Sequence, residues 1–301
     1  MKKTVFIGSV LSSKVALQFL IKKGINIDLV CSLDEEASKN ISDYYPIHNV
    51  AEENSLPYIK FKKINNHEVI KTIEKINPDF TFVIGISQII PDDILININE
   101  YAIGFHPTPL PKYRGRAALP WQIILGIHES KISLFKLDKG MDSGDIICQY
   151  PYIIEENDYA IDVYNKVCKA MEYALNKCLV KIYNNSVDFK KQREEDATYL
   201  LTRRPEDGKI NWDYPGIEIH ALIRAASYPY PGAFTFYNNK KITVSRARIE
   251  ENHKYIGLPG QIACLGNGQE ISVVTKDSLL VFTDYITEDG NTVFDLGKKF
   301  E

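Results

Sequence analysis

"KTVFIGS" at residues 3–9, followed by "SSKVALQFLIKK" at 12–23 and then Gly24, decides how the chain folds. The first stretch is a continuous apolar run closed by Gly-Ser, the pattern of a strand buried on both faces. The second carries apolar residues at helical spacing and stops at a glycine, a natural helix C-cap. "NIDLVCS" (26–32) reads as a second strand, "HEVIKTIEKI" (67–76) as an amphipathic helix, and "FTFVIGI" (80–86) and "YAIGFH" (101–106) as further strands. Strands alternating with helices imply an α/β domain with a doubly wound, Rossmann-like, mostly parallel sheet. Such sheets place their sites at the carboxyl ends of the strands, and His106 lies at such an end.

Further along, "ALPWQIILG" reads as a short helix. "KISLFKLD" (131–138) and "DIICQY" (145–150) read as paired strands around the turn "KGMDSG", and a long helix follows at about 159–183. "NNSVDFKKQREEDATY" (184–199) is polar and reads as a linker. From about 208 the texture changes. The amphipathic segment "GIEIHALIRAAS" precedes "YPYPGAF", and short strands ("KKITVSRARI", "GQIACLGNG", "EISVVTKD", "SLLVFTDY") then alternate with Gly/Asn turns. That is a small β-barrel or sandwich. Residues 1–200 are therefore expected to form one domain and 208–301 a second.

The 301 residues are 45% hydrophobic and 25% charged, ordinary for a globular protein. Lys and Arg number 36 against 39 Asp and Glu, a formal charge of −3. A protein that grips a nucleic-acid backbone usually carries a basic excess, so no nucleic-acid partner is expected. No apolar stretch approaches the roughly 20 residues of a membrane helix, and no signal-peptide core is visible. A cytoplasmic protein without a membrane partner is expected. The five cysteines (Cys31, Cys148, Cys168, Cys178, Cys264) are scattered and form no CxxC, which points to free thiols and away from zinc.

Four stretches could carry chemistry. A lone histidine is more often structural than catalytic. His106, however, ends an apolar strand, is followed by prolines at 107, 109 and 111, and has the acidic turn "MDSGD" downstream. Imidazole and carboxylate together make a usable proton-transfer pair. "DKGMDSGD" (138–145) reads equally well as a hairpin turn, with Gly140 and Gly144 supplying positive φ and Asp side chains capping it. It lacks the completion of a calcium loop, so no metal is expected. "KYRGR" (112–116) is either a solvated basic face or a grip on an anionic ligand. "GSVLSS" (8–13) opens a helix after the first strand but is not GxGxxG, so it implies no dinucleotide.

"FHPTPLPKYRGRAALPW" (105–121) followed by "FKLDKGMDSGDII" (135–147) resembles the formyltetrahydrofolate-dependent formyltransferases. The match includes His106, the Leu110-Pro111 pair, Arg114-Gly115 and the Asp142-Ser143-Gly144-Asp145 turn. "PDFTFVIGISQIIPDDIL" (78–95) is similar to the family's folate-side strand and loop. "RRPEDGKINW" (203–212) and "IHALIRAASYPYPGAF" (219–234) resemble the sugar N-formyltransferase branch. The resemblance implies a Rossmann-like catalytic domain and an OB-like C-terminal module. It implies transfer of a formyl group from N10-formyltetrahydrofolate to the primary amine of a nucleotide-linked amino-deoxy sugar, for surface polysaccharide or lipopolysaccharide biosynthesis. A homodimer is also implied.

By the same resemblance, His106 and Asp142 are catalytic. The folate is met by Ile86, Ser87, Gln88, Ile89, Ile90, Leu110, Asp138 and Asp142. The sugar nucleotide is met by Thr108, Lys112, Arg114, Arg116, Arg203, Arg204 and Tyr230. Gly104 occupies the family's Asn position, which removes a donor whose loss can cost roughly 3–4 kcal/mol of transition-state stabilisation. Gln88 and Ser87 are the candidate replacements. The alternatives are a methionyl-tRNA formyltransferase, a formyltetrahydrofolate hydrolase, and a binding protein that keeps the fold without turnover.

Overall fold

A computed structural model of the chain describes residues 2–252, 254–266 and 270–301. The chain divides into two compact units. The first comprises residues 1–118, 129–153 and 165–200. The second comprises 119–128, 154–164 and 201–301. The boundary near 200 lies where the composition changes, but the segments 119–128 and 154–164 cluster with the second unit rather than with the first domain expected for them.

The first unit opens with β1 (Thr4–Gly8), α1 (Leu11–Lys22), β2 (Leu29–Leu33), α2 (His48–Glu53), β3 (Tyr58–Phe61) and α3 (His67–Ile76). It continues through β4 (Phe80–Ile84), α4 (Asp92–Leu95), β5 (Tyr101–His106) and the two-residue β6 (Arg114–Gly115). After α5 (Ala118–Ile124), which falls almost wholly in the second unit, come β7 (Glu129–Lys136), β8 (Ile146–Ile153), α6 (Ala160–Tyr183) and β9 (Tyr199–Leu200). Seven strands form one sheet in the order β3-β2-β1-β4-β5-β7-β8. The strands from β3 to β5 are parallel, and β7 and β8 are added antiparallel.

β1, β2 and β4 are buried at every position, as strands covered on both faces must be. Val5, Ile7, Leu29, Cys31, Val83 and Ile73 from α3 share one apolar cluster. The strand order reverses between β1 and β4, so their carboxyl ends lead away in opposite directions and leave a crevice there. At β1 that turn is filled by its own side chains. Ser13 Oγ accepts from the Ser9 and Val10 amides, 3.1 Å each, and donates to Ile84 O at 2.6 Å. Ser9 Oγ donates to Gly85 O at 2.7 Å. The open loops of the crevice edge are those after β4 and β5.

The second unit holds α7 (Gly216–Ala226) and a five-stranded antiparallel sheet. Its strands are β10 (Ala233–Tyr237), β11 (Lys240–Glu250), β12 (Ile262–Leu265), β13 (Ile271–Val274) and β14 (Leu279–Thr287), in the order β10-β11-β14-β13-β12. The core is aromatic, with Trp212 stacked on Phe300 at 5.8 Å and Phe282 5.7 Å from Phe300. Among the described residues no pairing joins β10 to β12. The Gly/Asn turn expected at 267–268 lies outside the described residues.

Cys148 on β8 and Cys178 on α6, 30 residues apart in sequence, have their sulfurs side by side. Cys31, Cys168 and Cys264 are free, and burial pushes the Cys168 thiol up to about 12. No helix of the described residues is long and apolar enough to cross a membrane.

Cross-strand packing decides what can occupy position 104. Gly104 on β5 pairs with Phe135 on β7. A Cβ on Gly104 would lie 2.7 Å from the Phe135 ring and 2.8 Å from a Leu137 methyl. The space that a side chain would take is already apolar and full. Gly104→Asn is therefore expected to lower folding stability by about 1–3 kcal/mol, the range for overpacking a core. Urea denaturation measures this, and an unchanged midpoint would mean that the ring yields freely.

Candidate active site

His106 is the last residue of β5 and is 6% exposed. Its ring is held from both sides. Nε2 lies 2.8 Å from the carbonyl oxygen of Tyr113, and a carbonyl can only accept, so Nε2 carries the hydrogen. Nδ1 of the neutral ring is then bare, and it faces Asp142 Oδ2 at 3.6 Å. Two acceptors face each other until a proton enters between them. That is the arrangement of a base backed by a carboxylate.

The loop that follows is fixed by other elements of the same unit. Ser133 Oγ on β7 donates to Thr108 O at 2.7 Å, Gln149 Nε2 on β8 to Leu110 O at 2.9 Å, and Tyr152 Oη to Pro107 O at 2.9 Å. Thr108 Oγ1 lies 3.0 and 3.2 Å from the carbonyls of Lys112 and Tyr113. Tyr113, Gly115 and Ala117 all take left-handed backbone angles, so the loop turns repeatedly within five residues. Asp142 is also left-handed, at φ 52°, whereas Gly140 and Gly144, expected to supply positive φ, do not take it. A Cβ would fall 1.9 Å from Ser143 Oγ at the first and 1.7 Å from Lys136 O at the second, so close packing is what requires glycine there. Its Oδ2 accepts from the Gly115 amide at 2.9 Å, which binds the acidic turn directly to the loop after β5. The "DKGMDSGD" turn is thus both a hairpin and part of the site. Asp138 serves the hairpin, with Oδ1 accepting from the Gly140 amide and the Ser143 hydroxyl.

The loop after β4 supplies the second side. Ile86 and Ile90 pack against the apolar cluster under the sheet, while Ile89 is 83% exposed. The main-chain groups of Ile86, Gln88, Ile89 and Ile90 take no hydrogen-bond partner among the described residues. Ser87 O accepts from Arg116 Nη2 at 2.7 Å, which ties this loop to the one after β5. Gln88, expected as a replacement for the missing amide, has both ends engaged elsewhere. Its Oε1 accepts from the Ile64 amide at 2.7 Å and its Nε2 donates to Lys62 O at 3.0 Å.

The expected substrate residues separate into groups. Lys112 is exposed, and its ammonium group makes no hydrogen bond or ion pair among the described residues. Thr108 is fully buried, with its hydroxyl turned into the loop. Arg114, expected at the substrate, is 1% exposed and points inward to Gln192, Glu194 and Tyr199. Leu110 is buried against Phe135 and Ile146. Arg203, Arg204 and Tyr230 belong to the second unit. There Arg203 lies over the Trp121 ring at 5.1 Å and donates to Asp207 O at 2.7 Å. Burial draws its guanidinium below the ordinary value.

Sequence reasoning missed the segment 190–200, read as a linker. It runs beside the loop after β5, and β9 pairs with β6 in parallel. Thr198 accepts from the Arg114 amide through its carbonyl and from the Tyr113 amide through its hydroxyl, both at 2.8 Å. A run of charged residues gives no periodic signal for such a role.

Comparisons with known proteins agree with this architecture. A family model described as "Formyl transferase" matches residues 2–179, and one described as "Formyl transferase, C-terminal domain" matches 203–294. The chain is 32% identical over 276 residues to the bifunctional polymyxin resistance protein ArnA of Wigglesworthia glossinidia brevipalpis, covering 91% of this chain but only 41% of that protein. It is 30% identical over 284 residues to the methionyl-tRNA formyltransferase of Caldanaerobacter subterraneus, covering 93% of this chain and 87% of that one. Among solved structures, WlaRD, a sugar 3N-formyl transferase determined in the presence of dTDP and 5-N-formyl-THF, superimposes with a TM-score of 0.65 at 22% identity over 93% of this chain and 96% of that one. The N-formyltransferase of Helicobacter canadensis, in complex with folinic acid and dTDP-3-aminofucose, gives 0.66 at 19% identity over 95% and 100%. With most of the first unit and of the second each matched by its own model, the chain belongs to the formyl transferase family.

Proposed function

We propose that this protein is a sugar N-formyltransferase, moving a formyl group from N10-formyltetrahydrofolate to the primary amine of a nucleotide-linked amino-deoxy sugar. The observation that carries the reading is the His106–Asp142 pair, with the ring tautomer set by Tyr113 O and the bare Nδ1 facing the carboxylate. The donor supplies an activated formyl carbon. The loop after β4 suits a flat heterocycle with a polar edge, because it offers unpaired main-chain donors and acceptors beside isoleucine side chains. The similar structures determined with folate compounds support a folate donor.

A neutral amine attacking that carbon must lose a proton. His106 Nδ1 takes it, and Asp142 stabilises the imidazolium that results. The imidazolium gives the proton to N10 as the bond from the formyl carbon to N10 breaks, so that tetrahydrofolate leaves and the ring is neutral again. Since position 104 is closed by Phe135 and Leu137 and Gln88 is engaged elsewhere, the imidazolium is the positive charge that balances the formyl oxygen. Lys112, exposed and unpaired, and Arg116, at the loop junction, are the cations placed to meet a nucleotide diphosphate.

Methionyl-tRNA is the rival acceptor, favoured by the Caldanaerobacter relative. Charge argues against it. Residues 201–301 carry 12 Lys and Arg against 13 Asp and Glu, which gives no basic excess to hold a phosphate backbone. The sugar reading goes with a cytoplasmic homodimer serving surface-polysaccharide assembly, since nucleotide-linked sugars are its acceptors.

Two outcomes test the reading. His106→Asn and Asp142→Asn are each expected to lower turnover about 100-fold or more, the contribution of a positioned acid–base group. Thermal melting should show both variants folded, and near-normal turnover in either removes the proton-transfer pair. Incubated with formyltetrahydrofolate, a panel of amino-sugar nucleotides and charged initiator tRNA, the protein should add the mass of one formyl group to a sugar. Formylation of the tRNA alone would select the rival acceptor.

A further inference from the structure

Arg114 and Gln192 are polar groups that the proposed chemistry does not use, yet they sit directly behind it. The Arg114 guanidinium is buried and donates through Nε and Nη2 to Gln192 Oε1, at 3.1 and 3.0 Å. Through Nη1 it reaches Glu194 at 2.9 Å and the Tyr199 hydroxyl at 3.0 Å. The other end of the Gln192 amide lies against two carbonyls, Asp142 O at 2.8 Å and Gly144 O at 2.6 Å. Arginine can only donate and carbonyls can only accept, so the amide has one possible orientation.

We propose that Gln192 is a positioning residue that holds Asp142 against His106, with Arg114 as its anchor; this rests on the formyl-transfer role given to Asp142. Both hydrogens of one amide close the two ends of the Asp142–Ser143–Gly144 turn. That turn needs closing, because Asp142 holds a left-handed backbone that a residue with a side chain adopts reluctantly. Gly144 is packed so tightly that a Cβ there would fall 1.7 Å from Lys136 O. The carboxylate has its own tether, the Gly115 amide, and Gly115 follows Arg114 in β6. The main chain and side chain of Asp142 are therefore both referenced to the same two-residue strand. Without the amide the turn relaxes, and Oδ2 leaves the 3.6 Å position opposite Nδ1.

The competing account is that Gln192 merely gives buried Arg114 a partner. Glu at this position separates the two. Gln192→Glu offers Arg114 a stronger acceptor, but it has no N–H for the two carbonyls. Gln192→Met, similar in length, removes both functions. We expect Gln192→Glu to remain folded by thermal melting and to lose about 10- to 100-fold in kcat, with KM for the formyl donor changed by less than about threefold. In the Asp142→Asn background the same change should cause no further loss, because a group that acts only through Asp142 has nothing left to position. In the folate-free protein, the ¹⁵N resonance of His106 Nδ1 should move in Gln192→Glu while that of Nε2 stays in place. For Gln192→Met the kcat loss should be at least as large as for the glutamate variant.

Parental kcat in Gln192→Glu, independent multiplication of the two losses, or a change confined to KM overturns the positioning role. So does a Gln192→Glu protein that fails to fold while Gln192→Met folds with parental kcat. If Asp142→Asn itself turns over normally, the formyl-transfer role of Asp142 falls and the positioning role with it. An inactive Asp142→Asn beside a fully active Gln192→Glu removes the positioning role alone.

Discussion

A fully buried guanidinium has to be surrounded by acceptors, and that requirement at Arg114 organises the candidate site of the first unit. Taking a cation out of water is unfavourable unless its donors are met. Burial works against the Arg114 charge, but hydrogen bonds to Glu194 and Tyr199 outweigh it and hold the group above its ordinary value. Glu194 is lowered in return, first by Arg114 and then by Tyr199. To supply those partners, the segment after α6 must return across the loop after β5. Its return creates the β6–β9 pairing and brings Gln192 to the acidic turn.

The sheet supplies the other half of the geometry. Parallel strands deliver His106 and the Gly85–Ile90 loop to the same end, and the reversal of strand order between β1 and β4 opens the edge where they face outward. The antiparallel addition of β7 and β8 then brings Ser133, Gln149 and Tyr152 under the proline-rich loop. Prolines restrict the loop, and those three side chains donate to its carbonyls. The same addition places Phe135 against Gly104, so its ring fills the space that a side chain there would take.

Much of the site was legible in the residues. His106 and Asp142, 36 positions apart, were paired from the proline-rich loop and the acidic turn, and the structure places them together. Arg114 was misread in kind. A basic residue in "KYRGR" looks like a ligand contact, and nothing in the local sequence says that its side chain turns inward. Gln88 suffered the same way, because an amide near the right strand end was engaged by the neighbouring β3 loop. β3 itself, with only its last residue buried, carries no apolar run to announce it.

Local pattern determined the buried strands, the longer helices and the doubly wound class, because burial on both faces and helical spacing are written in consecutive residues. It located the acidic turn but not its backbone angles, since the left-handed residue is Asp142 and Gly140 and Gly144 are required by close packing instead. Only the tertiary structure decided which polar groups are spent inside the fold and which face a ligand. That choice depends on partners brought from far along the chain: Gln192 and Glu194 to Arg114, Gly115 to Asp142, Phe135 to Gly104. A hydrogen bond is indifferent to sequence separation, so no local reading could assign its partner.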